Sequence, residues 1–396
     1  MFRRTAGIYR ELIRLGPLSN QELSQVLDLS PAGVTQTLKP LLNQGIFHEL
    51  SAQQYQTNKL SPPEPGKRPR RKTTITPNKN YGYTIGGILR GTELELRKLD
   101  FDLELDEQKW TIQLDPDRPI AGQIIPTLKT IRDTNSTPLL AIGLSVSGRV
   151  ELGSNTIVYS HNLPYLVGVD LGAELEEDLH VPSIVINDSH ALGMGERFAG
   201  EAKHMDHFLT LFIDEGVGMG IVIDGKPYQG FDDLAGEAGQ YILVPQGRSH
   251  KGTADGSFEA YISQEALWEQ LKPLSKGRQE NEKSCYPLLA ALVSEKHPKA
   301  LAIGEMIGEK IGLLATNLML LFSPEMIFLT GPLAELGQEL ETPIQKAIRL
   351  YGPKSMSQAM AKRIRIRDKW QQRMVIGTGL AAIEAHLNNL DQQAQE

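Results

Sequence analysis

The chain is poor in cysteine, in long apolar runs and, over its first eighty residues, in acid, and each shortage narrows what it can be. Cys285 is its one cysteine, so neither an intrachain disulfide nor a multi-cysteine metal centre can form, and a reducing compartment, the cytoplasm, is expected. The longest apolar-rich stretch, Ile311 to Phe322, covers about a dozen residues and contains Asn317, where a membrane span needs roughly 20. Met1-Phe2-Arg3-Arg4 starts basic but leads into an amphipathic pattern and not an apolar signal core. A soluble protein without membrane partners is expected. Residues 1–80 hold five Asp/Glu against twelve Lys/Arg, although the whole chain carries a net charge of -7. A basic head on an acidic body points to a polyanion partner for the head, or to a merely solvated basic face.

A length of 396 residues with 40% hydrophobic content implies two or three globular domains. In the head, Ile8, Leu12, Ile13 and Leu15 recur at helical spacing between Thr5 and Leu15, and Gly16-Pro17 ends that helix. Ser19, three residues before Glu22, opens a second helix over Asn20–Leu27 with a capping box. Ser30 and Pro31 then supply the N-cap and first position of a third helix to about Gln44, with Val34, Leu38, Leu41 and Leu42 inward. Pro40 lies inside that span and is expected to kink or shorten it.

Two short helices joined by a tight turn read as a helix-turn-helix, or otherwise as part of a plain three-helix bundle. As a recognition helix, the third would present Ala32, Gly33, Thr35, Gln36 and Lys39. Gln36 suits a base edge and Lys39 a phosphate. Residues 45–50 read as a turn and wing strand. The Pro-rich stretch from Pro62 that follows carries Lys67, Arg68, Arg70, Arg71 and Lys72. Cations between prolines stay extended, which suits a narrow minor groove or a charged linker.

Beyond Asn80 strands alternate with helices, the pattern of an α/β body. Strands are expected at Leu139–Val146, Ser183–Ile186, Phe208–Ile213, Gly220–Ile223 and Met326–Leu329. Helices are expected at Gly122–Asp133, Ala173–Leu179, Gln264–Leu271, Leu301–Leu321 and Ile376–Leu387. Glycine-rich turns at 147–148, 214–220, 236–239 and 330–332 suggest backbone approaching a ligand.

Those turns sit in an ordered series of motifs. It runs from Val146-Ser147-Gly148 and Asn162-Leu163-Pro164 through Ile186-Asn187-Asp188-Ser189 and the stretch Gly216 to Gly225. Gly236-Glu237-Ala238-Gly239 and the stretch Gly256 to Ser263 complete it. With the head, the series resembles the ROK family, which groups sugar-responsive repressors with sugar kinases, and within it the branch of the xylose and N-acetylglucosamine repressors. The resemblance implies two actin-like (ribonuclease H-like) lobes around a cleft. That gives a head at 1–72, a first lobe at 73–192 completed by 375–396, and a second lobe at 193–374. It implies sugar contacts at Asn162, Asn187, Asp188, Glu237 and Glu259, with Asp188 at the position of the kinases' catalytic base. Amides and carboxylates can each engage adjacent hydroxyls, although Asn187-Asp188 after an apolar strand also reads as a helix N-cap.

Departures from the family pattern matter as much. The acidic first phosphate loop of the kinases falls on Thr84 to Thr92, and in either register its carboxylate position holds Thr84 or Ile88. The second loop carries Asp214-Glu215, which would repel a triphosphate, and the third carries Pro332, which lacks an N–H. The family's zinc set of one His and three Cys falls on Gln240, His250, Gly252 and Ser257, too few ligands for a structural site. Gln240 keeps the capacity to bond a hydroxyl. The expectation is a dimeric, DNA-binding repressor (less so an activator) that senses a sugar or sugar phosphate, with no catalysis, metal or cofactor. A sugar kinase with an accessory DNA domain and a regulator with a degenerate pocket are the rivals.

Overall fold

The computed structural model describes residues 4–51, 73–151, 154–231, 234–250, 252–275 and 285–393. Helices α1 (Arg4–Leu15), α2 (Asn20–Val26) and α3 (Pro31–Asn43) open the chain. The capping box forms as the sequence predicts: the Ser19 amide donates to Glu22 Oε2 at 2.8 Å, and the Ser19 hydroxyl accepts from the Glu22 amide. Ser30 caps α3 by accepting from the Gly33 amide at 3.1 Å. Pro40 does not shorten α3, which continues through it to Asn43. Pro40 is exposed, so the helix hydrogen bond its missing N–H forgoes lies on the solvent side.

The wing needs a strand that the sequence reading lacked. β1 (Phe47–Leu50) pairs antiparallel with β2 (Thr74–Pro77), and Leu18 bridges to Ile75. The head therefore closes beyond Lys72, where the sequence boundary was set. Ile75 is buried in the head's core, and that burial recruits the strand across the intervening segment.

The body is built on two sheets of one topology. The first runs β5-β4-β3-β6-β9, from Leu105–Gln113, Glu93–Asp100, Tyr83–Arg90, Leu139–Val146 and Ser183–Asn187. The second runs β12-β11-β10-β13-β14, from Lys226–Pro227, Val217–Ile223, Phe208–Ile213, Met326–Thr330 and Ile364–Ile366. Between β6 and β9, β7 (Arg149–Val150) and β8 (Ile157–Tyr159) form a separate pair. In each, an antiparallel meander of three strands is extended by two parallel strands. The tight hairpins β3–β4 and β10–β11 are thus equivalent corners of the two lobes.

The Asp188–Ala199 helix and the Trp370–Gln393 helix pack against one another at the junction of the lobes. Glycine makes the approach possible. A Cβ on Gly377 would lie 1.8 Å from the Ala191 carbonyl, and one on Gly195 would lie 1.9 Å from that of Arg373.

α1 packs against both of these helices. Its Tyr9 is fully buried, sits 5.0 Å from the Phe101 ring and donates its hydroxyl to the Phe101 carbonyl at 2.9 Å. Arg10 pairs with both carboxylate oxygens of Glu384, and Thr5 Oγ1 lies 2.5 Å from Asp391 Oδ1. One apolar core consequently runs from Leu23, Val34 and Leu38 of the head to Val375, Ile383 and Leu387. No helix among the described residues is long and apolar enough to cross a membrane.

Candidate functional sites

On the head, Ser30 and Pro31 start α3 so that Val34, Leu38 and Leu41 turn inward. Positions 32, 35, 36 and 39 then share the opposite face, since residues three and four apart lie above one another on a helix. Ala32, Thr35, Gln36 and Lys39 are all exposed there, and Gly33 is half-buried. Thr35 is oriented by donating to the Pro31 carbonyl at 2.9 Å. Lys67, Arg68, Arg70 and Arg71 lie outside the described residues.

In the body, a cleft of about 120 Å³ opens between the lobes. That is small beside the roughly 300–1,000 Å³ of pockets for drug-sized ligands, and it suits one compact polar molecule. Asn162, Asn187, Asp188, Glu237, Gln240 and Glu259 all line it. They come from four separate stretches of chain, around 162, 187–188, 237–240 and 259, and only the closure of the two lobes brings them together.

Their roles differ. Asn187 caps the Asp188–Ala199 helix: its Oδ1 accepts from the Ser189 and His190 amides at 2.9 and 3.3 Å, and its Nδ2 donates to the Gly148 carbonyl at 2.8 Å. Its Oδ1 is thereby spent on the cap, while Nδ2 keeps a second N–H at the wall of the cleft. Asp188 Oδ1 accepts from the Ser189 amide at 2.6 Å and from the Ser189 hydroxyl at 3.2 Å. Glu259 and Asn162 flank Gly216, where a Cβ would lie 3.4 Å from Glu259 Oε1 and 3.8 Å from Asn162 Nδ2.

The cleft is electrostatically tense. Burial, opposed by the Ser189 hydrogen bonds and reinforced by the charges of Asp214 and Glu237, pushes the Asp188 carboxyl up to about 7. Burial likewise raises Glu259 to about 7, with Glu237 adding to the effect. Asp214, buried at the end of β10, is raised to about 6 even though Arg90 pulls it down.

Arg90 is the residue that sequence reasoning missed. It ends β3, and its Nη2 bridges both oxygens of Asp214, at 2.5 and 2.6 Å. Its guanidinium lies 5.1 Å from the centre of the Trp370 ring. The two equivalent hairpins of the lobes are thus tied corner to corner. The signal available beforehand was an Arg in one loop and an Asp in the other, but nothing in the sequence says that the loops face each other.

Gly91 makes the β3–β4 turn with φ +54°, which favours the register that places Ile88 first in the loop. Gly86 and Gly87 lie inside β3, where a Cβ on Gly86 would meet Thr378 and Val375 at 2.7 Å. Gly86 thus admits the Trp370–Gln393 helix to the sheet, while Gly87 on the opposite face makes room for Leu144 and Leu96 of the neighbouring strands.

Residues 90–385 match the pattern of the ROK family. The chain belongs to the ROK family. The xylose repressor of Bacillus subtilis is 24% identical over 335 residues, covering 83% of this chain and 82% of that one. The dual regulator NagC of Escherichia coli is 23% identical over 400 residues, covering 98% and 93%. Among solved structures, a ROK family transcriptional regulator described as a homolog of the E. coli MLC protein superposes with TM-score 0.76 at 20% identity, covering 98% of this chain and 97% of that one. A ROK family glucokinase from Streptomyces griseus superposes with TM-score 0.61 at 20% identity, covering 76% of this chain and 99% of the kinase. The fold is the winged-helix head and two actin-like lobes of a ROK regulator.

The zinc set that the family resemblance implies does not fit these residues. Ser257 donates to Thr253 Oγ1 at 2.9 Å, and His250 Nε2 lies 3.7 Å from Glu265. Backbone bonds from Leu243 to Gly256 at 2.9 Å and from Phe258 to Tyr241 at 2.8 Å hold the loop instead. No group of three or more His, Cys, Asp or Glu among the described residues is arranged to hold a metal.

Proposed function

We propose that this protein is a sugar-responsive transcriptional repressor that binds operator DNA through α3 and the basic arm and senses a sugar or sugar phosphate in the interlobe cleft without phosphorylating it. The observation that carries the reading is a helix shared between the two sites. Asp188 in the cleft is the first residue of the Asp188–Ala199 helix, and α1 of the head packs on that helix and on its partner, Trp370–Gln393. A cavity of about 300 Å³ continues from Asn187 and Glu237 on the cleft side to Arg10 and Glu384 at the head. Ligand bound at Asp188 therefore acts on the seat of the head, and a ligand that prefers one arrangement of the lobes shifts the population of head orientations. Two-fold symmetry of a homodimer would match a palindromic operator.

The absence of phosphoryl transfer is supported by the first loop, where hydrophobic Ile88 stands at the carboxylate position, and by Asp214 and Glu215 in the second. The experiment is a pair of titrations on the full chain. A sugar that raises Tm should change operator affinity, and operator DNA should change that sugar's affinity by the same factor. Sugar-dependent ADP release from Mg-ATP, lost in Asp188→Asn, would overturn the non-enzymatic reading. Operator binding indifferent to every stabilising sugar would overturn the sensor.

A further inference from the structure

The phosphate end of the cleft is already occupied by the protein's own charges, and this restricts which ligands can enter. Among the described residues lining the cleft, five are carboxylates: Asp188, Asp214, Glu215, Glu237 and Glu259. Arg90 is the single Arg or Lys there, and its Nη2 is held between the two oxygens of Asp214. Asp214 is only 6% exposed, and Trp370, itself buried, backs the guanidinium. The pair is thus built into the lobe junction and is not a loose surface contact.

We propose that the Arg90–Asp214 ion pair is a specificity device that makes this sensor respond to the unphosphorylated sugar and reject its phosphate ester. The inference rests on the sugar-sensor reading and narrows it from a sugar or sugar phosphate to the free sugar. A phosphate dianion beside Asp188 would face Asp214 and Glu215, and the one guanidinium among the lining residues already has its charge offset by Asp214. Its contact with Arg90 would have to compete with Asp214 for the one guanidinium charge, and drawing Arg90 away would leave Asp214 buried and uncompensated. A neutral sugar faces no such cost, since its hydroxyls donate to carboxylates. Burial first, and neighbouring carboxylates second, already disfavour further negative charge at Asp188, Asp214 and Glu259.

The test uses the full chain and three kinds of probe: xylose, glucose and N-acetylglucosamine; the 6-phosphates of the two hexoses; and inorganic phosphate against matched chloride. Binding is read by calorimetry and by Tm. For the wild type, each hexose that binds should do so at least about tenfold more tightly than its 6-phosphate, and inorganic phosphate should not raise Tm. Asp214→Asn releases Arg90, so inorganic phosphate should now raise Tm, and the preference for the free sugar should shrink by about tenfold. Arg90→Met combined with Asp214→Asn should abolish the phosphate response. A wild type that prefers a 6-phosphate, or an Asp214→Asn protein that gains no phosphate response, overturns the proposal. Should Asp214→Asn fail to fold, the wild-type comparison of free sugar, 6-phosphate and inorganic phosphate decides alone. If no sugar binds but the phosphate responses appear as expected, the sensor reading fails while the charge assignment of Arg90 and Asp214 stands.

Discussion

Replacing Asp188 by Asn should stabilise the protein while weakening its ligand. Asp188 is held at about 7 chiefly by burial, against an ordinary carboxylate value near 3.9. The folded state therefore binds a proton that the unfolded state has released. This group lowers stability as pH rises from about 4 and reaches its full penalty above about 7. Each unit of raised pKa corresponds to roughly 1.4 kcal/mol, so the ceiling is about 4 kcal/mol at pH 8 and about 2 kcal/mol at pH 5. Water entering the cleft reduces both, and a realistic gain for Asn at pH 8 is about 1–3 kcal/mol. The Ser189 amide that donates to Oδ1 at 2.6 Å keeps its acceptor in Asn, so the N-terminus of the helix stays satisfied. Shifts of roughly 2–4 °C per kcal/mol hold for chains of 150–250 residues and smaller ones for a longer chain, so a rise of a few degrees at pH 8 and a smaller one at pH 5 is expected in scanning fluorimetry. Sugar affinity should fall about 10- to 150-fold, because a hydroxyl loses a charged acceptor worth about 1.5–3 kcal/mol. A variant that melts no higher than wild type at pH 8, or gains equally at both pH values, would refute the burial argument. Unchanged sugar affinity would remove Asp188 from the site.

Gly216→Ala should leave Tm within about 1 °C of wild type, since its methyl meets only ordinary contacts at 3.4 and 3.8 Å, yet should block ligand binding because the methyl stands between Asn162 and Glu259; preserved affinity by calorimetry counts against the site. Arg10→Ala leaves Glu384, whose side chain is 9% exposed, without its partner, so a loss of about 3 kcal/mol and a weakened effect of sugar on operator affinity are expected, read by denaturation and by gel-shift titration. Arg68→Ala with Arg70→Ala should lower the slope of log K against log salt by about 1.8, and an unchanged slope would make the arm a linker. Gln36→Ala should instead alter preference among operator variants, with a loss of about 1–3 kcal/mol confined to one base pair.

Much of this molecule is written locally. Ser19 with Glu22, and Ser30 with Pro31, set the starts of α2 and α3 because caps act within one turn of chain. The runs Leu139–Val146 and Phe208–Ile213 became strands with the expected bounds, since their continuous apolar character suits a strand buried on both faces. The family motifs pointed to residues that line one cleft. What escaped local reading depends on contacts between distant parts. The edge strand β5 escaped because Asp106 to Lys109 are all polar and only Trp110 and Ile112 alternate toward the core, too short a period to read from sequence. The strand β2 exists because Ile75 pairs with Glu49 and Leu18 across a long gap in sequence. The functional weight of Asn187 divides between capping and binding only once Gly148 is seen to accept from it. Gly86 and Gly87 fall in the stretch that matches the first phosphate loop, but they lie inside β3, one seating a helix and the other making room for Leu144 and Leu96. Arg90 and Asp214 are 124 residues apart, and charge alone gives each of them many possible partners. Only the pairing of two equivalent hairpins, imposed by the way the lobes close on the Asp188–Ala199 and Trp370–Gln393 helices, decides that they meet.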